Sequence, residues 1–239
     1  MFTAAALVAS PPILVPELGG AQIGATEPLR MATLDVVATL RGHGRIWTVL
    51  GVDAQDCTLG PDVRGTFRGY GVDVEVALGP NASGPADPGL PLAALIAGWL
   101  REAAAPDTDL RIRILAEDTT PDACARIGRD LRADLDATEE PRVLLVVADG
   151  ANTLTAKAPG AFDERAPQFQ ADLDRALAIG DRAALAALDP ALCKELGVAG
   201  RAAYQVLAAV FGDTAATCTT AYDDAPFGVS YHVGLWRPA

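Results

Sequence analysis

Leu144-Leu145-Val146-Val147-Ala148-Asp149-Gly150-Ala151-Asn152 is purely apolar as far as Ala148 and then breaks into a polar turn. A short apolar run with turn chemistry behind it reads as a strand buried on both faces, at the middle of a parallel or mixed sheet. Such sheets bind ligands at the carboxyl ends of their strands. The turn from Asp149 to Asn152 is therefore the first place to look for a site, and it holds no histidine, cysteine or basic residue.

Working outward, residues 2–9 predict a first buried strand, stopped by Ser10-Pro11-Pro12 because proline cannot donate to a ladder. Pro28 to Leu40 carries Leu29, Val36, Val37 and Leu40 on one helical face and ends at Gly42-His43-Gly44, with His43 placed to meet the helix dipole. Ile46 to Val52 predicts a second strand, ending at Asp53. Val72, Val74, Val76 and Leu78 alternate with Asp73, Glu75 and Ala77, as do Leu110, Ile112 and Ile114 with Arg111 and Arg113, the period of half-exposed strands. Pro91 opens a helix bearing Leu92, Leu95, Ile96 and Trp99 on one face. Thr120-Pro121-Asp122 supplies an N-cap, a proline at N1 and an acid in the first turn of another. Helices around Phe169 to Leu177, over Leu185 to Leu196, and from Gly200 through Tyr204 and Phe211 follow. The chain closes on the alternating strand Val229, Tyr231, Val233 and Leu235. Strands and helices alternate, which is the α/β signature.

The chain has 239 residues, half of them apolar, enough to bury a sizeable core. Its formal charge of −12 argues against nucleic-acid or anionic-membrane surfaces, which need clustered cations. No window approaches the length of a membrane span and the first residues carry no basic region, so a cytoplasmic protein is expected. Cys57, Cys124, Cys193 and Cys218 are scattered, as expected of reduced thiols rather than a disulfide framework or a zinc knuckle.

Nucleophile elbows and phosphate loops are missing: there is no Gly-x-Ser-x-Gly, no Gly-x-x-x-x-Gly-Lys-[Ser/Thr], and no Gly-x-Gly-x-x-Gly after a strand. His43 and His232 are the only histidines, too few for a histidine-built metal centre, and His232 is expected to pack within the last strand. Asp53 and Asp149 both follow apolar strands and remain candidates for acid–base work across one crevice.

Four segments occur in order: Ser10-Pro11-Pro12-Ile13-Leu14-Val15-Pro16-Glu17, Val146-Val147-Ala148-Asp149-Gly150-Ala151-Asn152, Ala158-Pro159-Gly160-Ala161-Phe162-Asp163, and Ala225-Pro226-Phe227-Gly228-Val229-Ser230-Tyr231. Together they resemble the class III extradiol dioxygenase B-subunit-like proteins, a group that includes the Memo-like proteins, and short actinobacterial members most of all. The resemblance implies a single three-layer α/β/α domain over residues 1–239, with a central mixed or mostly parallel sheet.

Dioxygenases of that family hold Fe(II) with two histidines and a carboxylate, which leaves positions open for a catecholate and O₂, and use a further histidine as acid–base. Carried over, the first ligand histidine is Ser10, the second falls near Asp53, and the histidine after the central strand is Asn152. The Memo-like cysteine before Gly-Arg is Ala199, before Gly200-Arg201. A serine and an amide do not replace two imidazoles for Fe(II). The resemblance therefore implies an inherited fold without its chemistry and no cofactor. A crevice lined by Ser10, Asp53, Asp149, Asn152 and Gly200 would take a small-molecule ligand or a protein partner. The alternative is an oxidoreductase or hydrolase in which Asp53 and Asp149 hold a divalent cation such as Mg²⁺ or Mn²⁺. A homo-oligomer without a small-molecule site is the third reading.

Overall fold

The computed structural model describes residues 1–20 and 23–239. In chain order the strands are β1 (Phe2–Val8), β2 (Ile46–Asp53), β3 (Cys57–Leu59), β4 (Arg64–Thr66), β5 (Glu75–Ala77), β6 (Asp109–Ala116), β7 (Arg142–Val147), β8 (Ala216–Asp224) and β9 (Tyr231–Pro238). The helices are α1 (Pro16–Gly19), α2 (Ile23–Arg41), α3 (Leu92–Ala104), α4 (Pro121–Asp136), α5 (Ala166–Ile179), α6 (Arg182–Ala186), α7 (Pro190–Glu195) and α8 (Arg201–Phe211).

Seven strands form one sheet in the order β3-β6-β2-β7-β1-β9-β8, and β4 pairs with β5 in a separate ribbon. The four central strands, β6, β2, β7 and β1, run parallel, while β3, β9 and β8 join antiparallel at the two sides. The expected central strand is β7, in the middle of the sheet. Val143, Leu145 and Val147 enter the core beneath α2 and α3, and Leu144 and Val146 enter the core beneath α4, α5 and α8. An apolar side chain at every step is what burial on both faces demands, and each contributes about 1.5–3 kcal/mol when fully buried. The result is a three-layer α/β/α architecture, the α/β class of the alternating pattern in the arrangement that the resemblance implies.

Thr120 caps α4 by accepting the Ala123 N–H at 3.3 Å, with Pro121 at N1 as expected. Other elements differ from their sequence pattern. The helix predicted from Pro28 runs from Ile23 and carries Pro28 inside it. The single helix expected over Leu185 to Leu196 is two, because Asp189 accepts the Leu192 N–H at 2.8 Å and Pro190 starts a new first turn. The alternation from Val72 to Leu78 yields only β5, whose ladder partner among the described residues is just the short β4. The outermost strand, β8, was not predicted. It is mostly exposed and has a register shift between Thr220 and Tyr222.

Candidate functional site at the carboxyl edge of the sheet

Ser10 follows β1 and Asp149 follows β7, and because these strands are parallel neighbours the two residues meet at the carboxyl edge. The Ser10 N–H donates to Asp149 Oδ1 at 2.8 Å and the Ser10 hydroxyl to Oδ2 at 2.7 Å. Part of Asp149 reaches solvent, yet its carboxyl is packed deeply enough that desolvation, outweighing the two Ser10 hydrogen bonds, pushes its pKa up to about 6.

The backbone behind Asp149 is tied in as well. Gly200 donates to the Asp149 carbonyl at 3.0 Å, and the Tyr204 hydroxyl donates to the Ala148 carbonyl at 3.2 Å. A Cβ on Gly200 would stand 2.7 Å from that Asp149 carbonyl, so the close approach of α8 to the edge needs glycine there.

Asp53 ends β2, the strand on the other side of β7, but it is exposed and its carboxyl accepts the Ala54 N–H at 2.6 Å. Its charge acts on Cys57 and Tyr70, whereas the charge of Asp149 acts on Tyr204 and Tyr231. The two carboxyls thus serve different neighbourhoods. Asn152 lies between two glycines: ideal Cβ positions on Gly197 and Gly160 would fall 1.9 Å and 2.5 Å from its Oδ1.

Asn152 forms one wall of a cleft of about 450 Å³, together with Glu117, Asp118, Lys194, Val198 and Arg201. Of the five residues expected to line a crevice, only Asn152 lines this one. Arg201 is buried and braces its floor, donating to the carbonyls of Thr119 at 2.7 Å and Glu117 at 2.5 Å and to Gln205 Oε1 at 2.9 Å.

An Fe(II) ion does not fit the residues carried over from the resemblance. Ser10 is spent on Asp149, Asn152 offers an amide, and among the described residues no three His, Cys, Asp or Glu side chains could hold a metal ion. Cys124 and Cys193 are packed and Cys57 and Cys218 half-buried, all four free thiols.

A second polar cluster adjoins the edge and was missed in the sequence, because its members come from α5, β8 and β9. Gln170 accepts the Ala151 N–H at 2.7 Å and donates to Asp174 at 2.6 Å. Asp174 is in hydrogen-bond contact with Asp223, and Ser230 donates to Asp174 at 3.4 Å. Burial, with repulsion from Asp174 and Asp224, pushes Asp223 up to about 6. His232 packs within β9 as expected, but its ring nitrogens are buried without hydrogen-bond partners, Nδ1 lying 4.0 Å from Asp223, and burial pushes its pKa down to about 4.

These shifts oppose one another in the pH dependence of stability. Asp149 and Asp223 hold their protons more tightly in the native state, so their contribution is fully present below the usual 3.8 and is lost as the pH rises through about 6. His232 stays neutral in the native state, so its contribution is present above 6.5 and is lost as the pH falls through about 4. Removing the histidine removes its loss of stability on the acid side and leaves the contributions of Asp149 and Asp223 unopposed by it. The Tm of a His232→Gln variant relative to the parent is therefore expected to rise between about pH 7 and pH 4.5, by a few degrees. Parallel Tm curves would refute this assignment.

Fold and site together define an α/β protein with a cleft at the carboxyl edge of a mixed sheet. No protein-family model and no curated protein matches the chain. Among solved structures it is similar to the crystal structure of the uncharacterized protein JW3007 from Escherichia coli K12, at 12% identity and a TM-score of 0.56, over 98% of this chain and 99% of that one. At that identity the likeness shows the fold alone. No helix among the described residues is long and apolar enough to cross a membrane.

Proposed function

We propose that this chain is a B-subunit-like relative of the class III extradiol dioxygenases that has given up iron chemistry and binds a small polar molecule in the cleft beside Asn152. The observation that carries the reading is the Ser10–Asp149 clip. Two groups at the edge where the resemblance implies a metal centre satisfy each other through two hydrogen bonds, while a cleft of about 450 Å³, walled by Asn152 and by neither of them, remains open. That volume suits a small ligand, and Asn152, Lys194 and Glu117 supply donors and acceptors around it.

Anaerobic incubation with Fe(II), Mn(II) and Zn(II) followed by elemental analysis tests the first half. The parent and an Asp53→Ala variant are expected to retain equal, far substoichiometric metal. Near-stoichiometric Fe(II) lost in the variant, with cleavage of added catechol once O₂ is admitted, would overturn it. For the second half, catechol added to the metal-free protein is expected to shift the Asn152 side-chain amide resonances, and less so in a Lys194→Met variant. No shift at millimolar catechol would remove the aromatic diol from the ligand class.

One observation favours acid–base catalysis as a second reading: an Asp149 pKa near 6 poises that carboxyl to exchange protons close to neutrality. That reading requires Ser10 to release Asp149, so a Ser10→Ala variant would gain turnover rather than lose it.

A further inference from the structure

The largest cleft described, of about 740 Å³, lies at the opposite end of the sheet, toward the amino ends of β2, β6 and β7. Arg111 and Arg113 point from β6 to the same face, and Arg142 begins β7 on the far side of β2. Register sets the arrangement: Arg111 is opposite Thr48, Arg113 opposite Thr58 of β3, and Arg142 opposite Ile46. An interior strand would ordinarily have this face covered by a helix. Here α4 covers it only in part, bringing Ile127, Leu131 and Leu135 to the cleft wall along with Asp130 and Asp134.

Three guanidinium groups in one cleft are unusual in a chain with 19 basic and 31 acidic residues. None of the three is in an ion pair among the described residues, although other arginines are paired. The Nε atoms of Arg113 and Arg142 are buried and have no hydrogen-bond partner, while Arg142 Nη1 donates to the Asp134 carbonyl at 3.0 Å. A buried donor on a charged group is costly to leave unmade, and guanidinium donors suit the paired oxygens of phosphate or carboxylate. The carboxylates of Asp130 and Asp134 on the facing helix accept hydrogen bonds, so they select a ligand that also carries donors.

We propose that this cleft binds a small hydroxylated molecule bearing one oxyanion group, phosphate or carboxylate. The oxyanion meets Arg111, Arg113 and Arg142 on the sheet, and the hydroxyls meet Asp130, Asp134, Thr48 and Thr58. The volume lies within the range of small-molecule sites.

The test uses glucose 6-phosphate, gluconate, glucose and inorganic phosphate as probes, followed through the Nε–Hε resonances of Arg113 and Arg142. A sugar phosphate or sugar acid is expected to shift both resonances, with glucose leaving them unmoved, and the better of the two assigns the oxyanion. Affinity is expected to fall at least tenfold in Arg113→Met and in Arg142→Met, and to stay unchanged in Arg175→Met, on the distant α5. Inorganic phosphate binding as tightly as the sugar derivatives would mean an adventitious ion only and overturn the proposal. So would shifts that survive both arginine substitutions, or no shift with any probe.

Discussion

A Trp236→Ala variant is expected to lose about 3–5 kcal/mol of stability, the usual range for emptying a fully buried tryptophan site. Trp236 has no exposed surface, and its ring meets Phe211 edge-on at 5.3 Å, which in turn meets Phe2 at 5.3 Å, with Arg132 over the Phe2 ring. This chain of rings joins β9, α8, β1 and α4, so the void opens where four elements converge. The indole N–H also donates to the Leu177 carbonyl at 2.9 Å, and alanine strands that acceptor. For a chain of this length the fall in Tm is about 10 °C, measured by calorimetry or circular dichroism. Trp236→Phe keeps most of the volume and should cost about 1–2 kcal/mol, mainly the stranded carbonyl. Equal losses in the two variants would show that packing is not what holds the junction.

Gly197→Ala is expected to be the most damaging single substitution at the candidate cleft, at about 2–4 kcal/mol. Gly197 sits at φ +67°, a left-handed conformation that costs an alanine about 1–2 kcal/mol. Its added Cβ would fall 1.9 Å from Asn152 Oδ1. The Asn152 amide must shift to admit it, and the Gly160 backbone is also close to that amide. Overpacking of this kind adds about 1–3 kcal/mol. An Asn152→Ala background removes the collision but not the backbone strain, so the double variant should recover roughly half the loss. Strict additivity of the two single losses, measured by urea unfolding, would refute the wedge.

Much of the layer architecture is legible in the sequence because parallel inner strands leave no doubt about burial. Phe2–Val8 and Arg142–Val147 are apolar at nearly every position, and only a strand covered on both faces tolerates that. Thr120-Pro121 marks a helix start through local chemistry alone. β8 hides for the opposite reason: Thr217, Thr219 and Thr220 sit on an exposed edge, where no apolar period is imposed. At Asp189-Pro190 a local N-cap signal wins over the apolar pattern that runs on either side of it.

At the site, Ser10 and Asp149 were found as strand-end residues, but that they satisfy each other follows only from the parallel neighbourhood of β1 and β7. Asp174, Asp223 and His232 belong to three separate elements, and no spacing within the chain reveals their contact. Arg111 and Arg113 were visible as the polar half of an alternating strand. The half-exposed alternation holds in β6, where Arg111 is exposed and Arg113 half-buried, although the strand lies between β2 and β3.

The register shift in β8 bears on how the folded chain keeps to itself in concentrated solution. An outer strand of this length offers a row of free amides and carbonyls on which another chain's strand could grow. The bulge between Thr220 and Tyr222 interrupts that row, and Asp223 and Asp224 place like charges at its end, so two copies meeting edge to edge would be out of step and mutually repelled. At the other margin β3 is only three residues long, too short to template a growing ribbon. The sheet is thus guarded at both margins against fibrous aggregation.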